Sequence, residues 1–187
     1  VSVPSNTIVY RQGGYRSKMK ANERTAPFFL SDPVVNFIKI AEEKLFENHN
    51  SQVKVGFCGM APHGLKTEIK ERSQIIFRNL KSRLGFVDED AQAVLSSSNL
   101  RYKTLEIFRK SPDFESNYII RQKYRGGVQT EENRKKTTEE YYQNQIESVL
   151  VICVRGVGNF SLRLYETLAM GRIPVFIDTD SPLPDIG

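Results

Sequence analysis

The sequence predicts an α/β domain: a doubly wound, mainly parallel sheet with helices as crossovers. Three observations carry this. The runs "VKVGFCG" (53–59), "VLVICV" (149–154) and "IPVFID" (173–178) are continuously apolar, the pattern of strands buried on both faces. Polar segments of helical period separate the strands. Repeated strand–helix alternation calls for parallel strands joined by crossover helices.

The elements follow in order. Residues 1–30 read as irregular or extended, with a short strand at "TIVY" (7–10) before the turn signal Gly13-Gly14. In "SDPVVNFIKIAEEKLFENHN", Asp32 caps a helix, Pro33 suits its first turn, and Val34, Ile38, Ala41 and Leu45 share a face. After strand 53–59 and the loop "MAPHGLK", a helix spans 66–84, with Ile69, Ile76, Leu80 and Leu84 at helical spacing and Gly85 at its end. Ser98 is placed to cap the next helix, with Leu100, Thr104, Ile107 and Phe108 along one side, stopping near Pro112. "NYIIRQ" (117–122) is a strand. Thr130 opens a polar helix to about Ser148, whose thin apolar face (Tyr142, Ile146) suits an outermost position. Strand 149–154, a helix from Asn159 to Met170 ended by Gly171, and strand 173–178 complete the pattern. Residues 1–50 are expected to be a connector or remnant of a preceding domain. Residues 51–187 form the binding domain, and the chain, stopping just after a strand, is expected to be a piece of a longer one.

Composition narrows the function classes. No apolar run approaches the roughly 20 residues that span a bilayer, so no transmembrane segment is expected. Cys58 and Cys153 lie in apolar runs without CxxC spacing and read as buried thiols. With only His49 and His63 beside them, no familiar zinc set arises and no metal is expected. The net charge is +5, and residues 1–24 hold five basic groups against Glu23. A nucleic-acid footprint is denser and interleaved with exposed aromatics; this balance fits a smaller anion.

Parallel strands send the loops at their carboxyl ends to one rim, where ligands of such sheets bind. Those loops are 59–64, 121–127, 155–161 and 178–180. Strand 149–154 delivers the chain to "RGVGN", where Gly156 and Gly158 permit positive φ and close backbone approach. Asn159 or Ser161 then caps a helix whose amino end suits phosphate oxygens. Asn159, Arg163, Glu166 and Met170 share a face, while Leu164, Tyr165 and Leu168 point elsewhere, towards the core. Arg163 suits phosphate and Glu166 suits ribose hydroxyls. Taken alone, a GxG is a weak signal, and a surface ion pair is the bland alternative for Arg163 with Glu166, though the spacing favours anion binding at this helix.

The stretch "YYQNQIESVLVICVRGVGNFSLRLYETLAMGRIPVFIDTDSPLP" resembles the signature region of the exostosin-like glycosyltransferases, particularly their bacterial and viral members. "NERTAPFFLSD", "VKVGFCG" and "YIIRQKYRGG" extend the similarity over about residues 22–184, densest at 141–184. The resemblance implies a GT-B enzyme with two Rossmann-like domains, this chain supplying the C-terminal donor domain. It implies transfer of a sugar from a UDP- or GDP-sugar to a glycan acceptor, without a tightly bound metal or cofactor. Glu166, in "E-x-x-A-x-G-x-x-P", is implied to contact the donor ribose. Gly156, Gly158, Asn159, Phe160 and Ser161 are implied to receive the diphosphate, with Gly59 on the same rim. Arg155 and Arg163 match basic positions of the signature and would offset charge on the leaving diphosphate; Arg121 and Arg125 are a second pair. A general base is also needed, for which Asp178, Asp180 and His63 are the candidates on the rim. Where family members often carry a cysteine after the aspartate pair, this chain has Ser181.

Two other classes are kept in view. A non-catalytic module would bind polyanionic glycan or nucleic acid through the basic segments, with steep salt dependence. A nucleotide-dependent kinase would need the phosphate-loop lysine that "RGVGN" lacks. The Asn-x-Ser triplet at Asn159-Phe160-Ser161 falls inside the expected phosphate site, which favours a cytoplasmic location.

Overall fold

The computed structural model describes residues 6–33, 35, 52–87, 91–128, 130–156 and 158–185, apart from the side chains of Tyr124 and Arg125. The expected helix after Asp32, with its face of Val34, Ile38, Ala41 and Leu45, lies almost wholly outside these residues. At its start, Asp32 Oδ1 accepts the Val35 N–H at 3.4 Å.

Four parallel strands form the main sheet: β3 (Val53–Met60), β4 (Phe114–Arg121), β5 (Leu150–Cys153) and β6 (Ile173–Phe176), in the order β4-β3-β5-β6. A separate parallel pair joins β1 (Val9–Arg11) to β2 (Glu23–Thr25). The helices are α1 (Leu65–Arg83), α2 (Ser97–Lys110), α3 (Glu131–Ile146) and α4 (Leu162–Ala169). β3 and β4 are in register from Val53↔Phe114 to Met60↔Arg121, whereas the β3–β5 ladder holds only Val55↔Leu150 and Gly56↔Val151.

The alternation of strand side chains separates two buried faces. Val55, Phe57, Ile152 and Val154 pack with Leu105, Leu100 and Phe108 of α2 on one side. Val151 and Cys153 pack with Leu164 and Tyr165 of α4 on the other. Helices on both faces make the sheet doubly wound, as the continuous apolar strands predict. Each fully buried Phe57- or Leu105-sized side chain contributes about 1.5–3 kcal/mol. The chain crosses from β3 to β4 in one direction and returns past β3 to β5 and β6, so the order reverses between β3 and β5. That reversal is where ligands bind in open sheets of this kind.

Both glycine stops are present: Gly85 (φ 75°) ends α1 and Gly171 (φ 63°) ends α4, each donating its N–H back to the last turn. Three expectations need correction. α2 is capped by Ser96, whose Oγ accepts the Asn99 N–H at 3.1 Å, while Ser98 Oγ bonds Glu71. α3 is not outermost. It seats on the sheet through β4 and β3: Asn144 Nδ2 donates to Asn117 O of β4 (2.8 Å), and Asn117 Nδ2 donates to Ser148 Oγ just past the helix (3.1 Å). Gly56 makes that approach possible, since a Cβ there would lie 2.7 Å from the Ser148 Cβ. α1, finally, buries no residue. Ile69, Ile76, Leu80 and Leu84 do share a face, but it points to solvent, with Ile69 59% and Leu84 62% exposed. The inward side is polar: Glu71 accepts from Ser96 and Ser98, Glu68 from Asn99, and Asn79 pairs with the backbone of Gln92.

Residues 6–33 are fastened to the carboxyl rim. Tyr15 is buried and accepts from the Ala93 N–H at 2.7 Å. Phe28 stacks on Phe160 with ring centroids 4.5 Å apart. No helix among the described residues is long and apolar enough to cross a membrane.

Candidate functional site

A cavity of about 770 Å³ opens at the carboxyl ends of β3 and β5, within the size range of small-molecule sites. Its floor is Cys58, Gly59 and Met60 from β3 with Val154 and Gly156 after β5. α1 forms one wall through Glu71, Gln74, Ile75 and Arg78, which explains the helix's polar inner face. Arg121, Lys123 and the α3 residues Thr138, Tyr141 and Tyr142 form another, and residues 160–163 with Glu166 close the third.

Arg163 sits where the helical spacing predicts. Its guanidinium donates to Cys58 O (2.6 Å), Ile152 O (3.3 Å) and Tyr141 Oη (3.3 Å), and stacks over Phe57 at 4.4 Å. Gly59 leaves it room, because a Cβ there would lie 3.0 Å from Arg163 Nη2. Burial opposes the Arg163 charge, yet the Tyr141 phenol beside it reverses the balance and holds the guanidinium's pKa above its ordinary value. Burial likewise pushes the Tyr141 phenol upward. Glu166 accepts from Tyr141 Oη (2.5 Å) and Tyr142 Oη (3.3 Å). Arg163 and Glu166 therefore do not form an ion pair; Tyr141 stands between them. A carboxylate has about four acceptor sites, so the two tyrosines leave Glu166 capacity for further donors.

Gly59, Arg121, Gly156, Phe160, Ser161, Arg163 and Glu166 all border the cavity. Arg121 also donates to Thr137 O (2.7 Å) and Glu140 Oε2 (3.2 Å). Ser161 stands at the N-cap position of α4 without a side-chain cap bond, and Asn159 is not the cap. Asn159 is 4% exposed. Its Nδ2 donates to Gly14 O (2.9 Å) and Thr179 O (3.0 Å), and its Oδ1 accepts from Thr179 Oγ1 (2.6 Å) and Ser181 Oγ (3.0 Å). All its hydrogen-bonding capacity goes to holding three chain segments together, which also gives Ser181 a structural place. At Gly158 a Cβ would lie 2.5 Å from Phe160 Cε1, so this glycine accommodates a ring. Met170 is buried against Tyr142 and Ile146, whereas Leu168 is 56% exposed rather than in the core.

Arg155 departs from expectation more sharply. It is buried away from the cavity, donating to Tyr15 Oη and Gln92 Oε1, both at 3.3 Å. Asp178 and Asp180 also turn aside, to the amino-terminal segment. Asp178 pairs with Arg16 at 2.9 Å, and Asp180 (φ 63°) accepts from the N–H and Oγ of Ser17. The Arg16 hydrogen bond holds the Asp178 carboxyl below its ordinary pKa. His63 stacks on Tyr102 at 3.7 Å, outside the cavity. Arg125 lies in the turn Tyr124–Gly127, and its side chain is outside the described set. Cys58 and Cys153 are free and buried. Among the described residues no three His, Cys, Asp or Glu side chains gather at a metal-binding distance.

Sequence reasoning missed Arg101, Lys123, Glu71, Tyr141 and Tyr142. Arg101 donates to Met60 O (3.0 Å) and Arg155 O (2.9 Å). Burial, followed by the nearby Arg163, lowers its pKa to about 10, with Glu71 acting the other way. The available signal was its place at the start of the second turn of α2, a helix that starts at the rim.

With this geometry defined, no family model, curated protein or solved structure matches the chain. The fold and site define a Rossmann-like α/β domain with a cation-rich crevice at its topological reversal.

Proposed function

We propose that the crevice binds a nucleoside-diphosphate sugar, UDP- or GDP-linked, and that the chain supplies the donor-binding domain of a glycosyltransferase acting on a glycan acceptor. One observation supports this reading above the others. Arg163 and Glu166, one turn apart on α4, both reach a cavity of about 770 Å³ at the sheet's reversal point, one a cation with N–H donors left and the other a carboxylate with acceptor capacity left. Arg121 and Lys123 add positive charge on the opposite wall.

In the transfer, an acceptor hydroxyl oxygen bonds to the anomeric carbon as the bond to the diphosphate breaks, and the electron pair leaves on phosphate oxygen. Fixed cations in a partly dry site stabilise that growing charge without reorganising. Glu166 would take hydrogen bonds from the ribose. The hydroxyl's proton needs a base, and Asp178, Asp180 and His63 stand elsewhere, so none is assigned.

Thermal shift of the complete protein with UDP, GDP and their sugars tests the reading. A ligand at 100 times its Kd adds about 2.7 kcal/mol, roughly 5–10 °C for a domain of this size. Glu166→Gln should remove most of the shift. If no nucleotide moves the melting temperature, the reading is wrong. Steeply salt-dependent binding of polymers that survives Glu166→Gln would favour the polyanion module instead.

A further inference from the structure

Where the β3–β5 ladder ends after Gly56 and Val151, the strands separate, and their carbonyls accept hydrogen bonds from side chains instead. Two arginines supply them. Arg163 reaches Cys58 O and Ile152 O; Arg101 reaches Met60 O and Arg155 O. Each guanidinium thus bridges both sides of the split. They enter from opposite faces of the sheet, Arg101 on α2 and Arg163 on α4, and both border the cavity.

Resting on the donor-pocket reading, we infer that Arg101 and Arg163 together form a two-guanidinium clamp for the pyrophosphate group, with Arg101 the second phosphate-binding cation.

Simple stapling of carbonyls does not account for this pairing. Neutral donors such as asparagine would satisfy carbonyls without bringing two half-buried cations together at the cavity, an arrangement that costs free energy when nothing offsets it. No carboxylate lies within ion-pair distance of either arginine among the described residues. Glu71 is the acid nearest in influence to Arg101, and its oxygens already accept from Ser96 and Ser98. A guanidinium carries five N–H donors. Arg101 uses two of them and Arg163 three, so both keep N–H groups for an anion in the cavity. The planar fork suits phosphate oxygens two at a time. A doubly charged pyrophosphate between the two would supply the missing counter-charge.

Calorimetry of the complete protein with inorganic pyrophosphate, UDP and GDP, on wild type, Arg101→Gln, Arg101→Lys and Glu166→Gln, separates the possibilities. Arg101→Gln should weaken pyrophosphate and the favoured nucleotide by the same factor, at least tenfold. Arg101→Lys, which keeps charge but not the fork, should lose less, and it decides the matter if the glutamine variant does not fold. Glu166→Gln should weaken the nucleotide by a larger factor than pyrophosphate. Nucleotide binding that is indifferent to both Arg101 variants overturns the clamp while sparing the donor reading. Arg101-dependent pyrophosphate binding to which the nucleoside adds nothing keeps the clamp and defeats the donor reading. A wild type that binds none of the three overturns both.

Discussion

Asn159→Ala should lower folding stability by about 2–4 kcal/mol and leave nucleotide affinity nearly unchanged. The estimate follows from what Asn159 holds. Its loss strips donors from two part-buried carbonyls, Gly14 O and Thr179 O, each costing about 1–2 kcal/mol when left unpaired. The Thr179 and Ser181 hydroxyls lose an acceptor too, but they lie 3.4 Å apart and can bond each other, so they add little. A loss near 3 kcal/mol lowers Tm by roughly 6–12 °C in a chain of this size. Urea melts by far-UV circular dichroism at 25 °C provide the measurement, with tyrosine fluorescence as second probe because the chain has no tryptophan. Calorimetry on the folded variant should then find nucleotide affinity within about threefold of wild type, a difference under about 1 kcal/mol. A variant of wild-type stability that no longer binds nucleotide would refute the reasoning and return Asn159 to the ligand.

Gly56→Ala should cost about 1–2 kcal/mol: overpacking against Ser148 exceeds the backbone benefit of alanine. Adding Ser148→Gly should recover most of it, and a fully stable single variant would mean that α3 is not seated on β3. For Asp178 the folded pKa is depressed, so its contribution is present above about pH 4 and fades as pH falls through the folded value. Asp178→Asn should flatten the acid limb of the stability curve, by less than about 1 kcal/mol because the pair is exposed; an unchanged limb would contradict the Arg16 contact. Burial pushes the Cys58 thiol up and the Cys153 thiol to about 11, so neither should react quickly with a thiol reagent at pH 8 until urea opens the fold. A rapid reaction of Cys153 in the native protein would disprove its placement, whereas Cys58, on the cavity floor, should be the faster of the two.

The sheet was legible because strands covered on both faces leave no polar alternation, and β3 and β5 show this directly; β6 is as apolar in sequence but is an edge strand with Ile173 57% exposed. Arg163 and Glu166 were legible because a three-residue step on a helix fixes a shared face. The seat of α3 was not, since Asn144 and Gln145 look like solvent-facing residues until Asn117 and Thr167 are brought to them. Arg101 and the Asn159 hub escaped for the same reason: their partners are remote in sequence, and residue type alone does not say which way a loop side chain turns. Arg155 shows the converse error. A cation beside a glycine turn resembles a ligand group, yet Tyr15 and Gln92 take it into the interior.

The outer side of α1 has a practical consequence. Ile69, Ile76, Phe77, Leu80 and Leu84 present an exposed strip of hydrocarbon about four turns long, touched by the Lys81 ammonium over the Phe77 ring. Such a strip raises the cost of keeping molecules apart as concentration or ionic strength climbs. Light scattering of the 187-residue chain should therefore grow with added sulfate, and charged substitutions at Phe77 and Leu80 should suppress it. Anyone preparing this chain for the binding measurements would do well to work dilute.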